Sequence, residues 1–149
     1  FLNLFDSNIK NAIKQVKIPY RKNGGSGGAD QSGANGLSAK IFLLSGYEVG
    51  WTTSDSNYFP KDGAKLSYFV SGIGTYADKK RIAKLNGSSV YWWLRSPVTN
   101  NNNDVMYVST NGEFSLNLPT ASYGIRPAFI LPDNFPMIQN PDGTYTPAE

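Results

Sequence analysis

Two Asn-Gly dipeptides, each between two runs of strand-forming residues, constrain the fold of this chain more than any other feature. One separates RIAKL from SSVYWWL at Asn86-Gly87, and the other separates VMYVST from EFSLNL at Asn111-Gly112. Asn and Gly supply the positive φ angles of a type I′ turn, whose twist matches that of paired strands. The sequence therefore predicts two antiparallel hairpins. The expected strands, including one in the later apolar run, are close to Val90–Arg95, Val105–Ser109, Glu113–Leu116 and Ile125–Ile130.

Helical periodicity is confined to the start of the chain. In DSNIKNAIKQV the apolar residues recur every three or four positions, and Asp6 or Ser7 can cap the first turn. Pro19 follows shortly afterwards and cannot continue a helix. This segment is therefore predicted to form one amphipathic helix.

Several other segments carry local signals. AKIFLL, residues 39–44, predicts a short buried strand, and the following SGYE has the spacing of a capping box, which predicts a one- or two-turn helix from Ser45. The run Lys79–Leu85 is interpreted as a strand, with a short helix as the alternative. Residues 23–36, NGGSGGADQSGANG, have neither periodicity nor a phosphate-binding glycine motif, so we expect a flexible Gly/Ser loop.

Two missing residue types exclude whole classes of chemistry. The 149 residues include no cysteine and no histidine. Disulfides, thiolate zinc sites, thiol nucleophiles and Ser-His-Asp triads are therefore excluded. The length suits one domain. Because the chain starts at Phe1 without Met, we expect residues 1–149 to be a single domain that lacks its N-terminal part, as a fragment of a longer chain.

The charge distribution does not indicate a polyanionic partner. The net charge is +3, and the densest basic group, Lys79, Lys80, Arg81 and Lys84, is interpreted as a solvated face. The chain has no nucleic-acid-binding motif, and no apolar run approaches the roughly 18–20 residues of a membrane span. We therefore expect neither nucleic acid binding nor membrane insertion.

Each of the two most apolar stretches, VYWWLRSP and YGIRPAFIL, contains one arginine, Arg95 or Arg126. A half-buried arginine can donate to several loop carbonyls while its stem packs on a tryptophan, so both are assigned structural roles. Adjacent strand residues point to opposite faces. We therefore expect one of the two tryptophans to lie in the core and the other to be partly exposed, with Trp93 structural and Trp92 available to a ligand.

The same stretches carry a family resemblance. YWWLRSP, a following polar loop, the hairpin VSTNGEF and the closing YGIRPAFIL resemble an uncharacterised family of bacterial and phage domains, whose hallmark is Trp-Trp-Leu-Arg-Ser-Pro followed by Gly-Val/Ile-Arg-Pro-Ala. GLSAKIFLLSGYEVGW is also similar to the upstream part of that family. Together these segments cover most of Ile18 to Leu131.

This family in turn resembles the formylglycine-generating-enzyme branch of the C-type-lectin-like fold. That branch includes phage receptor-binding proteins and the variable proteins of diversity-generating retroelements. The resemblance implies an α+β domain with small twisted antiparallel sheets, hairpins, one or two helices and long loops. The catalytic cysteines of the enzyme branch are absent here, so the resemblance implies binding and not oxidation.

The expected function is thus a non-catalytic recognition domain of a phage tail or bacterial surface protein. Its partner would be a cell-surface glycan or a protein receptor. The domain itself would be part of a larger assembly that can be multimeric. Two alternatives stay open. One is a structural or assembly domain of a virion or surface protein. The other is a glycan hydrolase with a carboxylate pair, although the sequence singles out no pair at the required separation of about 5–9.5 Å.

Three loops carry the side chains that suit recognition, namely Trp51–Tyr58, Val98–Asp104 and Asn117–Tyr123. Tyr and Trp give rigid contact area at low entropic cost, and Asn adapts its hydrogen bonds. The Gly/Ser loop offers few such contacts. The predicted ligand-binding residues are Trp51, Tyr58, Tyr91, Trp92, Asn100, Asn101, Asn102, Asn103, Asp104, Asn117 and Tyr123.

Calcium is the one cofactor that the sequence brings into question. Asn103 and Asp104 offer hard oxygen ligands, but their loop has one carboxylate and no EF-hand spacing. An asparagine-rich turn is the favoured interpretation. No cofactor or metal is expected, with calcium kept as the alternative.

Overall fold

Short strand pairs around one larger sheet form most of this structure, a computed structural model that describes residues 1–21, 30–52, 62–72, 77–98 and 103–148. Short 3-10 helices occupy Leu2–Leu4, Gly33–Asn35 and Lys79–Arg81. In chain order the other elements are α1 Ser7–Ala12, β1 Val16–Ile18, β2 Tyr20–Arg21, β3 Asp30–Gln31, β4 Leu37–Ala39, β5 Phe42–Leu43, β6 Ala83–Leu85, β7 Ser88–Val90, β8 Trp92–Pro97, β9 Val105–Val108, β10 Phe114–Asn117, β11 Gly124–Ile125, β12 Pro127–Ala128, β13 Met137–Gln139 and β14 Tyr145–Pro147.

The larger sheet has four strands in the order β10-β9-β8-β11. β9 is antiparallel to both of its neighbours, whereas β11 runs parallel to β8. The remaining strands form the two-stranded pairs β1–β4, β2–β3, β5–β12, β6–β7 and β13–β14. The domain is thus rich in small, open, mostly antiparallel sheets with little helix, broadly α+β. In the described parts of the chain, no helix has the length and apolarity that crossing a bilayer requires.

The hydrophobic core lies on one face of the four-stranded sheet. Alternate residues of β8, β9 and β10 point to this face, and the register places Trp92 and Phe114 on either side of Val108. Burying each such side chain contributes about 1.5–3 kcal/mol, so this face is the main source of stability. The buried residues of the cluster are Val49, Phe69, Trp92, Leu94, Val98, Met106, Val108 and Phe114.

Both hairpins predicted from the Asn-Gly dipeptides are present. Asn86 and Gly87 have φ angles of 51° and 82°, as a type I′ turn requires. In the second hairpin only Gly112 has a positive φ, of 85°. Gly112 N donates to Ser109 O over 3.1 Å, and Ser109 N donates to Glu113 O over 2.8 Å. This is a type I turn followed by a glycine bulge, so the hairpin is confirmed but its expected turn type is wrong.

The predicted N-terminal helix is shorter than its apolar pattern. It ends at Ala12, and Val16–Ile18 instead forms a strand that pairs with Leu37–Ala39. Strand pairing satisfies the backbone groups that a second helical turn would have used. Of the apolar residues in the pattern, Ile13 is buried at 2% exposed, whereas Ile9, Ala12 and Val16 are half-buried. The pattern therefore identified one core residue and assigned its second half to the wrong element.

The capping box after β5 forms without the helix that it was expected to open. Ser45 N donates to Glu48 Oε2 over 2.9 Å, and Glu48 N donates to Ser45 Oγ over 3.0 Å. The backbone then makes turns through residues 46–50, and Gly50 has a φ of 97°, outside the helical region. The Ser-x-x-Glu signal therefore marked a real local structure that a positive φ ends within one turn.

Three other segments are interrupted where continuous elements were expected. Pro127 lacks an N–H, and the run Ile125–Ile130 divides there into β11 and β12, which pair with different partners. Residues 39–44 divide between β4 and β5, and Lys79–Leu85 combines a 3-10 helix with β6. Of the expected flexible loop, residues 30–36 instead form β3 and a 3-10 helix, while residues 22–29 lie outside the described ranges.

Candidate functional site

Four aromatic rings meet on the face of the central sheet that points away from the core. Trp93 and Tyr107 are register partners on β8 and β9, so their side chains lie side by side on this face. Gly124 N donates to Tyr91 O over 2.8 Å, which brings the preceding Tyr123 beside them. We call the rings of Tyr91, Trp93, Tyr107 and Tyr123 the aromatic face.

Tyr123 is the central ring of the aromatic face. Its centroid lies 5.0 Å from that of Tyr91 in a stacked pair, and 4.7 Å from those of Trp93 and Tyr107. Asn117 Nδ2 donates to the Tyr123 hydroxyl over 2.7 Å, which fixes the polar end of that ring. Tyr91 is 42% exposed and Trp93 only 9% exposed. The face therefore offers tyrosine rings and hydroxyls to solvent above a nearly covered tryptophan.

Three of the predicted ligand-binding residues, Tyr91, Asn117 and Tyr123, come together in this way. Tyr107 was not predicted, because its position on the outward face depends on the register between β8 and β9. The run VMYVST has no alternation of apolar and polar residues that would mark Tyr107 as outward-facing. Asn103 is exposed and Asp104 is half-buried, immediately before the start of β9.

Two predicted ligand-binding residues lie elsewhere. Trp92 is 1% exposed in the core, and its Nε1 donates to Arg81 O over 2.9 Å, so it does not belong to the aromatic face. Trp51 packs edge-on against Phe114 at 5.0 Å, on the core face of the sheet. The expectation that one adjacent tryptophan is partly exposed also fails, since Tyr107 and Tyr123 cover Trp93.

The remaining predicted positions lie outside the described residues, namely Tyr58, Asn100, Asn101 and Asn102. Val98 N donates to Asp104 O over 3.1 Å, a hydrogen bond between residues that flank three of these positions in the sequence. Among the residues that the structure describes, no group of three or more acidic side chains is placed to hold a metal ion.

Arg95 ties three chain segments to β8. Its guanidinium donates to the backbone carbonyls of Pro19, Leu43 and Asp62 over 3.0, 2.9 and 3.1 Å. It also forms a two-pronged ion pair with Glu48, at 2.6 and 2.8 Å. The side chain is 9% exposed. Burial with several carbonyl acceptors is what the position of this arginine in an apolar strand led us to expect, whereas Glu48 as its counter-ion was not foreseen.

Arg126 differs from that expectation. Among the described residues it makes a single hydrogen bond, from Nη1 to Arg81 O over 3.3 Å. Its guanidinium lies over the rings of Trp92 and Phe69, 5.1 and 5.9 Å from their centroids. Ring packing, and not a set of carbonyls, holds this side chain.

The arginine that does hold several carbonyls is Arg81, which is 0% exposed. Its Nε donates to Val49 O over 2.8 Å, Nη1 to Gly112 O over 3.2 Å, and Nη2 to Val70 O. The interpretation of its basic neighbourhood as a solvated face is therefore wrong at this position. The available signal was one arginine among lysines, since only the guanidinium fork spans several acceptors.

A buried acidic cluster lies beneath Arg95. Asp62 is 3% exposed, and Ser96 Oγ donates to its Oδ1 over 3.1 Å. Burial raises the pKa of Asp62 to about 7, against the opposing effects of Arg95 and the Ser96 hydrogen bond. Ser45 Oγ donates to Asp62 O over 2.5 Å. These contacts connect the turns at residues 45–50 to β8 through Asp62. The cluster therefore has a structural role.

Comparison with other proteins gives a family but no characterised relative. Neither a curated protein nor a solved structure matches the chain. The model of one family, a domain of unknown function designated DUF6273, matches residues 1–133, which include every strand up to β12. The chain therefore belongs to the DUF6273 family.

Proposed function

We propose that this domain is a non-catalytic recognition module that binds a glycan through the aromatic face. The observation that carries the proposal is the contact of four rings on one outward sheet face, with Tyr91 42% exposed and Asn117 bonded to the Tyr123 hydroxyl. Sugar rings present C–H groups that pack on aromatic faces and hydroxyls that bond to amides and phenols. Tyrosine supplies both an apolar ring and a polar tip.

The geometry of the face sets the expected strength of binding. Among the described residues the rings lie on an open sheet surface, so one site buries little of a sugar. Useful affinity then comes from several copies that engage one surface together. This mode of binding suits display on a phage tail or a bacterial surface. It also suits the C-type-lectin-like architecture that the motifs resemble, which we propose as the finer description of the fold.

A hydrolytic function has less support. Among the described residues, the structure brings Glu48 and Asp62 together as an acidic pair, and they are only 8% and 3% exposed. Both interact with Arg95, at 2.6 Å from Glu48 and 3.8 Å from Asp62. A glycosidase needs its carboxylates on either side of an open cleft. Their burial therefore favours a binding role for the domain.

The test is binding of a multimeric form of the domain to a glycan array and to bacterial cells. Tyr91→Ala removes the most exposed ring and should reduce the signal at least tenfold. Tyr145→Ala is the matched control, because Tyr145 is 58% exposed on β14. Equal binding by both variants, or glycan turnover by the wild type, would contradict the proposal.

An assembly domain is the second candidate, favoured by the exposed apolar side chains. Tyr68, Leu85, Ile125 and Ile138 are each more than half exposed, and such residues often lie at subunit contacts. Light scattering that gives a stable oligomer whose interface buries Tyr91 would support assembly over glycan binding.

A further inference from the structure

A groove lies along the free edge of β11, apart from the aromatic face. Its volume is about 380 Å³, and Trp92 and Arg126 contribute to its lining. Leu85 and Ile125, also in the lining, are 63% and 62% exposed. Among the residues that the structure describes, no amide or hydroxyl side chain lines the groove. Its chemistry is therefore mainly aliphatic with two cations, the half-buried Arg126 and the exposed Lys84, which suits a sugar poorly.

Arg126 is the unusual group in this groove. Its one hydrogen bond uses a single N–H, and no carboxylate of the described residues lies within ion-pair distance of its guanidinium. Burial lowers the pKa of Arg126, against an opposing effect of Tyr68, and the described residues place no carboxylate beside this partly desolvated charge. Arg95, in contrast, has Glu48 as a counter-ion. The remaining donors of Arg126 are available to an anion.

The backbone around the groove favours an extended ligand. β11 is the edge strand of the four-stranded sheet, and within the described residues β6 pairs with β7 alone. An unpaired strand edge accepts another extended segment through main-chain hydrogen bonds. Two strand edges therefore border one aliphatic groove.

We propose that this groove binds an extended peptide segment that carries a carboxylate between aliphatic side chains. The carboxylate pairs with the Arg126 guanidinium, whose fork suits two parallel N–H···O bonds. The aliphatic side chains pack on Leu85 and Ile125, and the peptide backbone lies along a strand edge. A Glu or Asp side chain and a C-terminal carboxylate share this chemistry. The inference does not depend on glycan binding by the aromatic face.

Three peptide pools test the proposal by NMR titration of the ¹⁵N-labelled domain. The first is acetyl-Xaa-Xaa-Glu-Xaa-Xaa-amide with Xaa drawn from Val, Ile, Leu and Thr, the second replaces Glu by Gln, and the third is acetyl-Xaa₄ with a free C-terminal carboxylate. The first or third pool should shift the amides of Leu85, Val90 and Ile125, and the Gln pool should bind at least fivefold more weakly. The stronger of the two carboxylate pools identifies the carboxylate source. Equal binding by the Gln pool, or no shift with any pool, overturns the proposal.

Variants of the domain distinguish peptide binding in the groove from non-specific attraction between the peptide and the positive charge of the domain. Arg126→Gln should weaken binding of the effective pool at least fivefold, while Lys79→Gln, at an exposed cation outside the groove, should leave it unchanged. If Arg126→Gln fails to fold, Ile125→Asp decides, because Ile125 is 62% exposed and its replacement places a carboxylate in the groove. Unchanged binding by folded Arg126→Gln or Ile125→Asp, or shifts that grow with protein concentration without peptide, would overturn the peptide as occupant.

Discussion

Asp62 lies in a cluster where two acidic side chains share one cation, Arg95. Burial raises the pKa of Asp62 from 3.8 to about 7. Because the folded state holds the proton more tightly than the unfolded chain, the stabilisation by this group is complete below about pH 4. It is lost as the pH rises through 7.

Asp62→Asn should therefore gain stability relative to the wild type as the pH increases. The amide stays neutral and keeps an oxygen for Ser96 Oγ, so the difference in unfolding free energy between variant and wild type should rise by about 3 kcal/mol from pH 5 to pH 8. Urea denaturation at the two pH values measures this difference.

Asp142→Asn is the control for that experiment. Asp142 is exposed on a turn, and its hydrogen bonds from Thr144 lower its pKa. A depressed pKa leaves the carboxylate ionised in both states above pH 5, so this variant should shift stability equally at pH 5 and pH 8. A pH-independent difference for Asp62→Asn as well would contradict the titration of Asp62 near neutrality.

At this scale the sequence identified residues better than their partners. Arg95 was predictable because a charge interrupts an apolar strand. Glu48 was predictable as a capping residue, but its pairing with Arg95 spans 47 positions and leaves no local trace. Arg81 was missed because the lysines around it are typical of a solvated face.

Among the elements, the glycine turns give a matched pair of positions. Gly112 and Gly87 have similar φ angles, 85° and 82°, but different surroundings. A Cβ at Gly112 would lie 2.2 Å from Asp78 O, whereas one at Gly87 would meet nothing within 4 Å.

Gly87→Ala should cost about 1 kcal/mol of unfolding free energy, from the positive φ alone. Gly112→Ala should cost about 1–3 kcal/mol more, since the backbone of Asp78 must move. Chemical denaturation of both variants gives the two values. Equal losses would show that the approach of Asp78 to the turn does not constrain it.

Turns were predictable because they are set by two or three neighbouring residues. Continuous strands at 39–44 and 125–130 were not, because β5 and β12 pair with each other across more than eighty positions. The helix predicted from the apolar spacing likewise does not continue after Ala12, because β1 pairs with β4 instead. Local chemistry located the elements, and long-range pairing decided their lengths.

On the scale of the whole molecule, the aromatic face was only partly predictable. The sequence supplied Tyr91, Asn117 and Tyr123, but it grouped them with Trp51, which packs on the core side. Tyr107 joins them because β9 pairs in one particular register with β8. Which face a residue occupies is a property of the assembled sheet.

The C-terminal hairpin β13–β14 lies beyond the family match, and all of its strand residues are exposed. Truncation after Asp133 should leave the core intact and shift the melting temperature by no more than about 4 °C. Truncation after Tyr123 is the comparison, since it also removes β11 and β12 and should abolish cooperative unfolding. Thermal melts followed by circular dichroism measure both. Loss of the transition in the chain that ends at Asp133 would place the hairpin within the folding unit.

The contacts of Arg95 also set the order in which a newly made chain can acquire its structure. Pro19, Leu43 and Glu48 leave the ribosome well before the guanidinium that joins them, with Pro19 76 positions earlier. β5 must wait longer still, until Ala128 emerges. At about 5–20 residues per second, several seconds pass between the synthesis of Pro19 and that of Arg95, and during this time the hydrogen bond between them cannot form. This domain can therefore complete its folding only after Ala128 has been translated.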